Sequence, residues 1–136
     1  MRQKISRDSV LVIDDNQDFC ELIETIGQLY GVPVLTAQDC GKGLKVLTQE
    51  LPRIKLVLLD YFMPGMDPSL CGRMIAAKAG PSVPVVLVTA ASDPSVRAAE
   101  MRLSRWISKP VDPSVLTGLI TEDGPIPRHH WNGRAL

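Results

Sequence analysis

The chain has 136 residues, 45% of them hydrophobic and 22% charged, with 15 basic side chains against 15 acidic ones. That length fits one domain with its own core, able to bury roughly two thirds of its unfolded surface without metal or disulfide staples. Zero net charge argues against nucleic-acid or anionic-membrane binding driven by charge. The three cysteines, Cys20, Cys40 and Cys71, are odd in number, lack CxxC spacing and have no partnered histidines. Neither a disulfide framework nor a structural zinc site is expected, and the composition reads as that of a cytoplasmic, reducing-compartment domain. After Arg2, Lys4 and Arg7 the only apolar run is Val10-Leu11-Val12-Ile13, too short for a signal-peptide core. No stretch approaches the ~20 apolar residues of a membrane span.

In chain order, residues 10–13 form a continuous apolar run that stops at Asp14-Asp15, the pattern of a strand buried on both faces. Phe19, Leu22, Ile23, Ile26, Leu29 and Tyr30 then recur at helical spacing, with Gly31 as C-cap. Residues 32–36 read as a second strand, at an edge because of Pro33. A weaker helix over 39–50 carries Leu44 and Leu47. The run 56–59 is a third strand ending on Asp60, and residues 63–68 (Met-Pro-Gly-Met-Asp-Pro) have turn chemistry. A helix over 69–78 has Leu70, Met74 and Ile75 to bury, and 83–89 reads as the fourth strand. Asp93-Pro94 and Asp112-Pro113 each place a capping residue before a proline at the first helical position. Between them lies a short strand at 106–108, and the last helix carries Val115, Leu116, Leu119 and Ile120 before Gly124-Pro125.

Five strand–helix repeats predict a mostly parallel sheet covered on both faces. Right-handed crossovers make it an open, doubly wound α/β sandwich, since a closed barrel needs about 250 residues. Residues 1–120 form the domain, and 121–136 read as an aperiodic, flexible C-terminal tail. In such sheets, ligands bind beyond the carboxyl ends of the strands. Asp14, Asp15, Asp60, Thr89 and Lys109 all fall there. Each alone has a plain reading: an aspartate after a strand caps or turns, and Asp15 suits the N-cap of the first helix. Together they place three carboxylates, a hydroxyl and an ammonium on one rim. Clustered carboxylates raise one another's pKa unless a cation lies among them, and a hard divalent ion such as Mg2+ resolves that repulsion. Asp60 can then act as a nucleophile towards phosphorus.

Asp14-Asp15, Asp60 with Met63-Pro64-Gly65, Thr89-Ala90 and Lys109-Pro110 resemble the receiver domain of bacterial response regulators, over about residues 8–120. The resemblance implies a flavodoxin-like (βα)5 fold with strand order 2-1-3-4-5. It implies that Asp60 is the phosphoacceptor and that Asp14, Asp15, Asp60 and the backbone carbonyl of Phe62 hold Mg2+. Thr89 and Lys109 would contact the phosphoryl group, and Trp106 would be the switch residue coupled to Thr89. Trp106 is larger than the family's usual Tyr or Phe, Pro68 replaces a usual glycine, and Phe62 and Ala91 stand where hydrolysis of the phosphoryl group is tuned.

The implied function is a stand-alone phosphoacceptor of a two-component system rather than an enzyme, catalysing only its own phosphorylation and dephosphorylation. Its donor would be a histidine kinase or a histidine phosphotransfer protein. Its output protein would bind the face of the fourth helix, fifth strand and fifth helix, made basic by Arg97, Arg102 and Arg105. A homodimer is compatible with that face. Neither direct nucleic-acid contact nor membrane contact is expected, because residues 121–136 are too few for a DNA-binding domain. The alternative is a phosphorylation-independent, receiver-like interaction module. A haloacid-dehalogenase-like phosphatase is disfavoured because Phe62 stands where that class has its second acid. Gly41-Lys42-Gly43 is no dinucleotide fingerprint, since it lacks the third glycine and follows the wrong strand.

Overall fold

The apolar runs do form strands, and each is followed by a helix. The computed structural model describes residues 6–122. Its elements are β1 (Ser9–Ile13), α1 (Gln17–Tyr30), β2 (Val34–Ala37), α2 (Cys40–Glu50), β3 (Ile54–Leu59), α3 (Pro68–Ala79), β4 (Val85–Thr89), α4 (Pro94–Glu100), β5 (Arg105–Ser108) and α5 (Pro113–Thr121). One 3-10 turn, Leu51–Arg53, leads into β3. All pairings are parallel, in the order β2-β1-β3-β4-β5. This is the flavodoxin-like, doubly wound arrangement expected from the sequence. Thr121 belongs to α5, one residue beyond the expected domain end. From residue 123 on, the expected tail, with Gly124-Pro125, lies outside the described residues.

Alternate residues of each strand supply the two cores. Leu11, Ile13, Val57, Leu59, Val85 and Leu87 pack beneath α2, α3 and α4. Val10, Val12, Leu56, Leu58, Val86 and Val88 pack beneath α1 and α5. Burial on both faces explains why these strands read as unbroken apolar runs. The helices begin where side-chain oxygens meet otherwise unpaired amides. Asn16 accepts from the Phe19 N–H at 3.0 Å, Asp39 from Lys42 at 2.8 Å, Asp67 from Leu70 at 3.0 Å and Asp112 from Ser114 at 2.8 Å. The amides of Leu70 and Ser114 hold the carboxyls of Asp67 and Asp112 below their usual range. Pro68 occupies the first position of α3, where its missing N–H leaves nothing unsatisfied. Gly31 ends α1 with φ 70°, as expected of a C-cap.

Several expectations are corrected. Cys40 and Cys71 form a disulfide with Cα atoms 6.1 Å apart, although the odd count argued against one. Packing made the pair: the first turns of α2 and α3 meet over the same sheet face, which no local spacing reveals. Cys20 is the free, buried third cysteine. On α3 the buried side is Cys71, Gly72, Ile75 and Ala79, whereas Leu70 and Met74 are exposed. The small residues face inward because the helix lies close to its neighbour. A Cβ on Gly72 would come within 2.4 Å of the Met101 Cβ, in a core where Met101 is fully buried. Leu29 and Tyr30 also extend beyond the sheet into solvent. Asp93 precedes α4 as expected but makes no cap, because its carboxylate turns to Arg97.

Candidate functional site

The carboxyl ends of β1 and β3 adjoin in the sheet, and the ladder runs one residue past each strand. The Asp14 N–H donates to the Ala37 carbonyl and the Asp60 N–H to the Ile13 carbonyl, both at 2.9 Å. The Lys109 N–H donates to the Thr89 carbonyl at 2.8 Å. Backbone hydrogen bonds thus fix the residues that interrupt the apolar runs. Asn16 takes the N-cap of α1, so Asp15 is not used as a cap and stands exposed beside its neighbours. One carboxylate oxygen from each of Asp14, Asp15 and Asp60 lies within 4.8 Å of the other two. Asp14 and Asp60 are buried.

Burial without a matching positive charge is costly for such a group. Lys109 answers part of it, with its Nζ 2.7 Å from Asp14 Oδ2 and 4.4 Å from the centre of the Phe19 ring. Asp14 Oδ1 accepts from the Asn16 N–H at 2.9 Å, and Asp60 Oδ1 from the Tyr61 N–H at 2.8 Å. Asp60 nonetheless has its carboxyl pushed up to about 6, first by burial and then by the Asp14 charge, against the pull of Lys109 and the Tyr61 and Phe62 amides. Among the described residues the three carboxyl groups of Asp14, Asp15 and Asp60 meet one ammonium, that of Lys109, which bonds only Asp14. The oxygen-only donor set suits a hard divalent ion, and Mg2+ fits both the charge and the chemistry.

Thr89 is fully buried at the end of β4, with its Oγ1 accepting from the Ala91 N–H at 3.2 Å. Trp106 stands beside Leu87 on β5, half-buried against the core beneath α2, α3 and α4. Asp14, Asp15, Asp60, Thr89 and Lys109 therefore gather at the carboxyl edge of the sheet, whereas Trp106 sits two residues before the end of β5. Phe62 lies two residues after Asp60, 56% exposed, with its ring edge-on to Tyr61 at 5.2 Å.

Two features escaped sequence reasoning. Tyr61 lies under the Arg97 guanidinium, 5.5 Å from its centroid, and its hydroxyl accepts from Arg97 at 3.3 Å. Arg97 also bonds Asp93 at 2.7 Å and Glu100 at 3.0 Å. The acidic positions at i−4 and i+3 were a legible signal for those ion pairs, but the link to Tyr61 had none. Of the three arginines expected on the output face, only Arg97 is drawn into these contacts. Arg97 is neutralised locally, while Arg102 and Arg105 line a cavity of about 440 Å3 with Arg7 and Lys55 at the opposite, amino ends of the strands.

Residues 10–121 match the response regulator receiver domain family. A relative described as a probable transcriptional regulator ycf27, from Porphyridium aerugineum, is 31% identical over 85% of this chain and 48% of its own length. The response regulator PleD of Caulobacter vibrioides is 32% identical over 79% of this chain and 24% of its own. The chain thus spans half or less of these two relatives. A receiver domain from Clostridium thermocellum is 28% identical with a TM-score of 0.70, covering 82% of this chain and 90% of that one. The Saccharomyces cerevisiae Ssk1 receiver domain, solved in complex with the histidine phosphotransfer protein Ypd1, has the same fold: TM-score 0.72 at 16% identity, over 88% of this chain and 90% of that one. The acid cluster at the strand ends, the 2-1-3-4-5 sheet and these matches agree, and the chain belongs to the response regulator receiver domains of two-component signalling.

Proposed function

We propose that Asp60 accepts a phosphoryl group from a phosphohistidine, with Mg2+ held by Asp14, Asp15, Asp60 and the Phe62 carbonyl. The observation that carries this reading is the convergence of three carboxylates within 4.8 Å, with Lys109 bonded into the cluster. Bound there, Mg2+ would supply positive charge favouring the ionised Asp60 carboxylate and offsetting the phosphoryl oxygens. Asp60 Oδ1, held by the Tyr61 amide, fixes the carboxylate plane, and Oδ2 attacks phosphorus. The P–N bond to the donor imidazole breaks as the P–O bond to Asp60 forms, and the leaving nitrogen takes the electron pair and a proton from solvent. The Lys109 ammonium, bonded to Asp14 in the cluster, would pair with one phosphoryl oxygen, and the Thr89 hydroxyl would donate a hydrogen bond to another. Such a step asks the protein mainly for positioning and charge stabilisation.

The donor is a histidine kinase or a histidine phosphotransfer protein, a reading supported by the Ssk1 receiver's complex with such a protein. The output is a changed protein-binding face on α4, β5 and α5, read through Thr89 and Trp106. Beyond its own phosphorylation and dephosphorylation the chain catalyses nothing in this account. A cytoplasmic location follows from the same reading, and among the described residues no helix is long and apolar enough to cross a membrane. A scaffold that ignores phosphorylation has no use for three repelling acids and a paired lysine.

The test is transfer of radiolabel from a phosphorylated histidine phosphotransfer domain. The label is expected to move only with Mg2+, to be released by hydroxylamine as an acyl phosphate, and to be absent from Asp60→Asn. Equal labelling of that variant, or no transfer to the wild-type chain, overturns the assignment.

A further inference from the structure

The Cys40–Cys71 bond stands beside the acid cluster for a topological reason. In the sheet, β1 lies between β2 and β3. Cys40 is the first residue of α2, which follows β2, and Cys71 lies in the first turn of α3, which follows β3. Both helices cover the same face. A bond between their first turns therefore spans the carboxyl end of β1, where Asp14 and Asp15 sit. The same bond closes the far end of the segment from Asp60 through Phe62 to Cys71.

A cavity of about 470 Å3 joins the two features. Asp15 forms one part of its wall, Cys40, Asp39 and Lys42 another, and Gly65 and Met66 of the loop after the acceptor a third. Cys40 and Cys71 are buried, at 3% and 2% exposure, and of the two only Cys40 lines this cavity. Cys20 belongs to the other core, across the sheet, and does not compete for either partner. The fold also lacks the usual need for a staple. Disulfides hold together small domains whose cores are insufficient, whereas this chain has a continuous core on each sheet face.

We propose that Cys40 and Cys71 are a reversible dithiol–disulfide site that sets the divalent-cation affinity of the adjoining acid cluster, the oxidised form binding more tightly. This rests on the reading of Asp14, Asp15 and Asp60 as the magnesium site. The oxidant is a low-molecular-weight disulfide of the glutathione class. The Cys40 thiolate attacks it and expels one thiolate. Cys71 then attacks the Cys40 sulfur of the mixed disulfide and expels the second. Two electrons pass from the protein sulfurs to the small disulfide, and the two protons end on the two small thiols. Oxidation ties the starts of α2 and α3 together across the end of β1, fixing the Cys40 and Met66 walls of the cavity that Asp15 also lines and one end of the loop that carries the Phe62 carbonyl. Reduction releases both, and the cluster must then be ordered at the expense of ion binding.

The experiment uses the full chain, oxidised with glutathione disulfide or reduced with a phosphine. Free thiols are counted by alkylation and mass, and Mg2+ affinity is read by titration calorimetry. One alkylated cysteine is expected in the oxidised form and three in the reduced form, interconverting in both directions. Mg2+ binding should be about tenfold weaker after reduction, in the range of couplings between sites. Cys40→Ser should match the reduced chain and ignore both reagents. If that variant does not fold, the reagent comparison on the unaltered chain decides alone. Equal Mg2+ affinity in the two forms, or a bond that does not re-form, overturns the proposal and leaves the phosphoacceptor reading intact. Absence of Mg2+ binding in both forms overturns the magnesium site itself, and this inference with it.

Discussion

Replacing Asp60 with asparagine should stabilise the metal-free protein at neutral pH, and the effect can be sized from the site. Asp60 is 6% exposed, beside Asp14, and its carboxyl is pushed from an ordinary 3.8 to about 6. The folded chain therefore holds this proton to higher pH than the unfolded chain does. The stability linked to it is present in full below about pH 4 and is lost as pH rises through about 6. The gap between the two values corresponds to about 3 kcal/mol. Urea unfolding in the presence of a chelator, at pH 4 and pH 7.5, measures it directly. Asp60→Asn and wild type should be nearly equal at pH 4, and the variant about 3 kcal/mol more stable at pH 7.5. Subtracting the two proteins removes Asp67, Asp93 and Asp112, whose lowered carboxyls act in the opposite sense. Millimolar Mg2+ should then restore the wild type by mass action and the variant less. A wild-type-minus-variant difference that does not change with pH would refute the reasoning.

Other consequences follow from the same geometry. Mg2+ affinity should decline below about pH 6, by about tenfold per pH unit once Asp60 is protonated, in calorimetry across pH 5 to 8. Because Lys109 draws the Asp60 carboxyl down, Lys109→Ala should raise it further above about 6, as a carboxyl 13C titration would show; no rise would dissociate Lys109 from the acceptor. Gly72→Ala forces a Cβ against Met101 and should destabilise by about 1–3 kcal/mol in denaturant unfolding. Reducing the Cys40–Cys71 bond, which closes a separation of 31 residues, should cost about 3–4 kcal/mol and lower the Tm by ~10 °C.

The sheet was legible because parallel strands buried on both faces leave unbroken apolar runs, and because charged residues mark where those runs stop. Asp14, Asp60 and Lys109 end or follow such runs, and the ladder bonds that hold them are what an interrupted run becomes in the fold. The alternative reading of Asp15 as the cap of α1 fails because Asn16 takes that position. On α3 the expected burial of Ile75 holds, but that of Leu70 and Met74 does not, because close approach to Met101 turns Gly72 inward and the bond to Cys40 turns Cys71 inward. The disulfide and the Tyr61–Arg97 contact join segments 31 and 36 residues apart. Contacts of that range are set by how helices sit on the sheet, which no local pattern records.

The account's central claim is that Asp60 takes a phosphoryl group, and intact-mass analysis after incubation with acetyl phosphate and Mg2+ tests it most directly. The wild-type chain should gain one phosphoryl group, lose it on removal of the donor, and gain none when Mg2+ is chelated or Asp60 is replaced by asparagine. A chain that binds Mg2+ yet gains no mass, or an adduct that survives Asp60→Asn, would contradict the account.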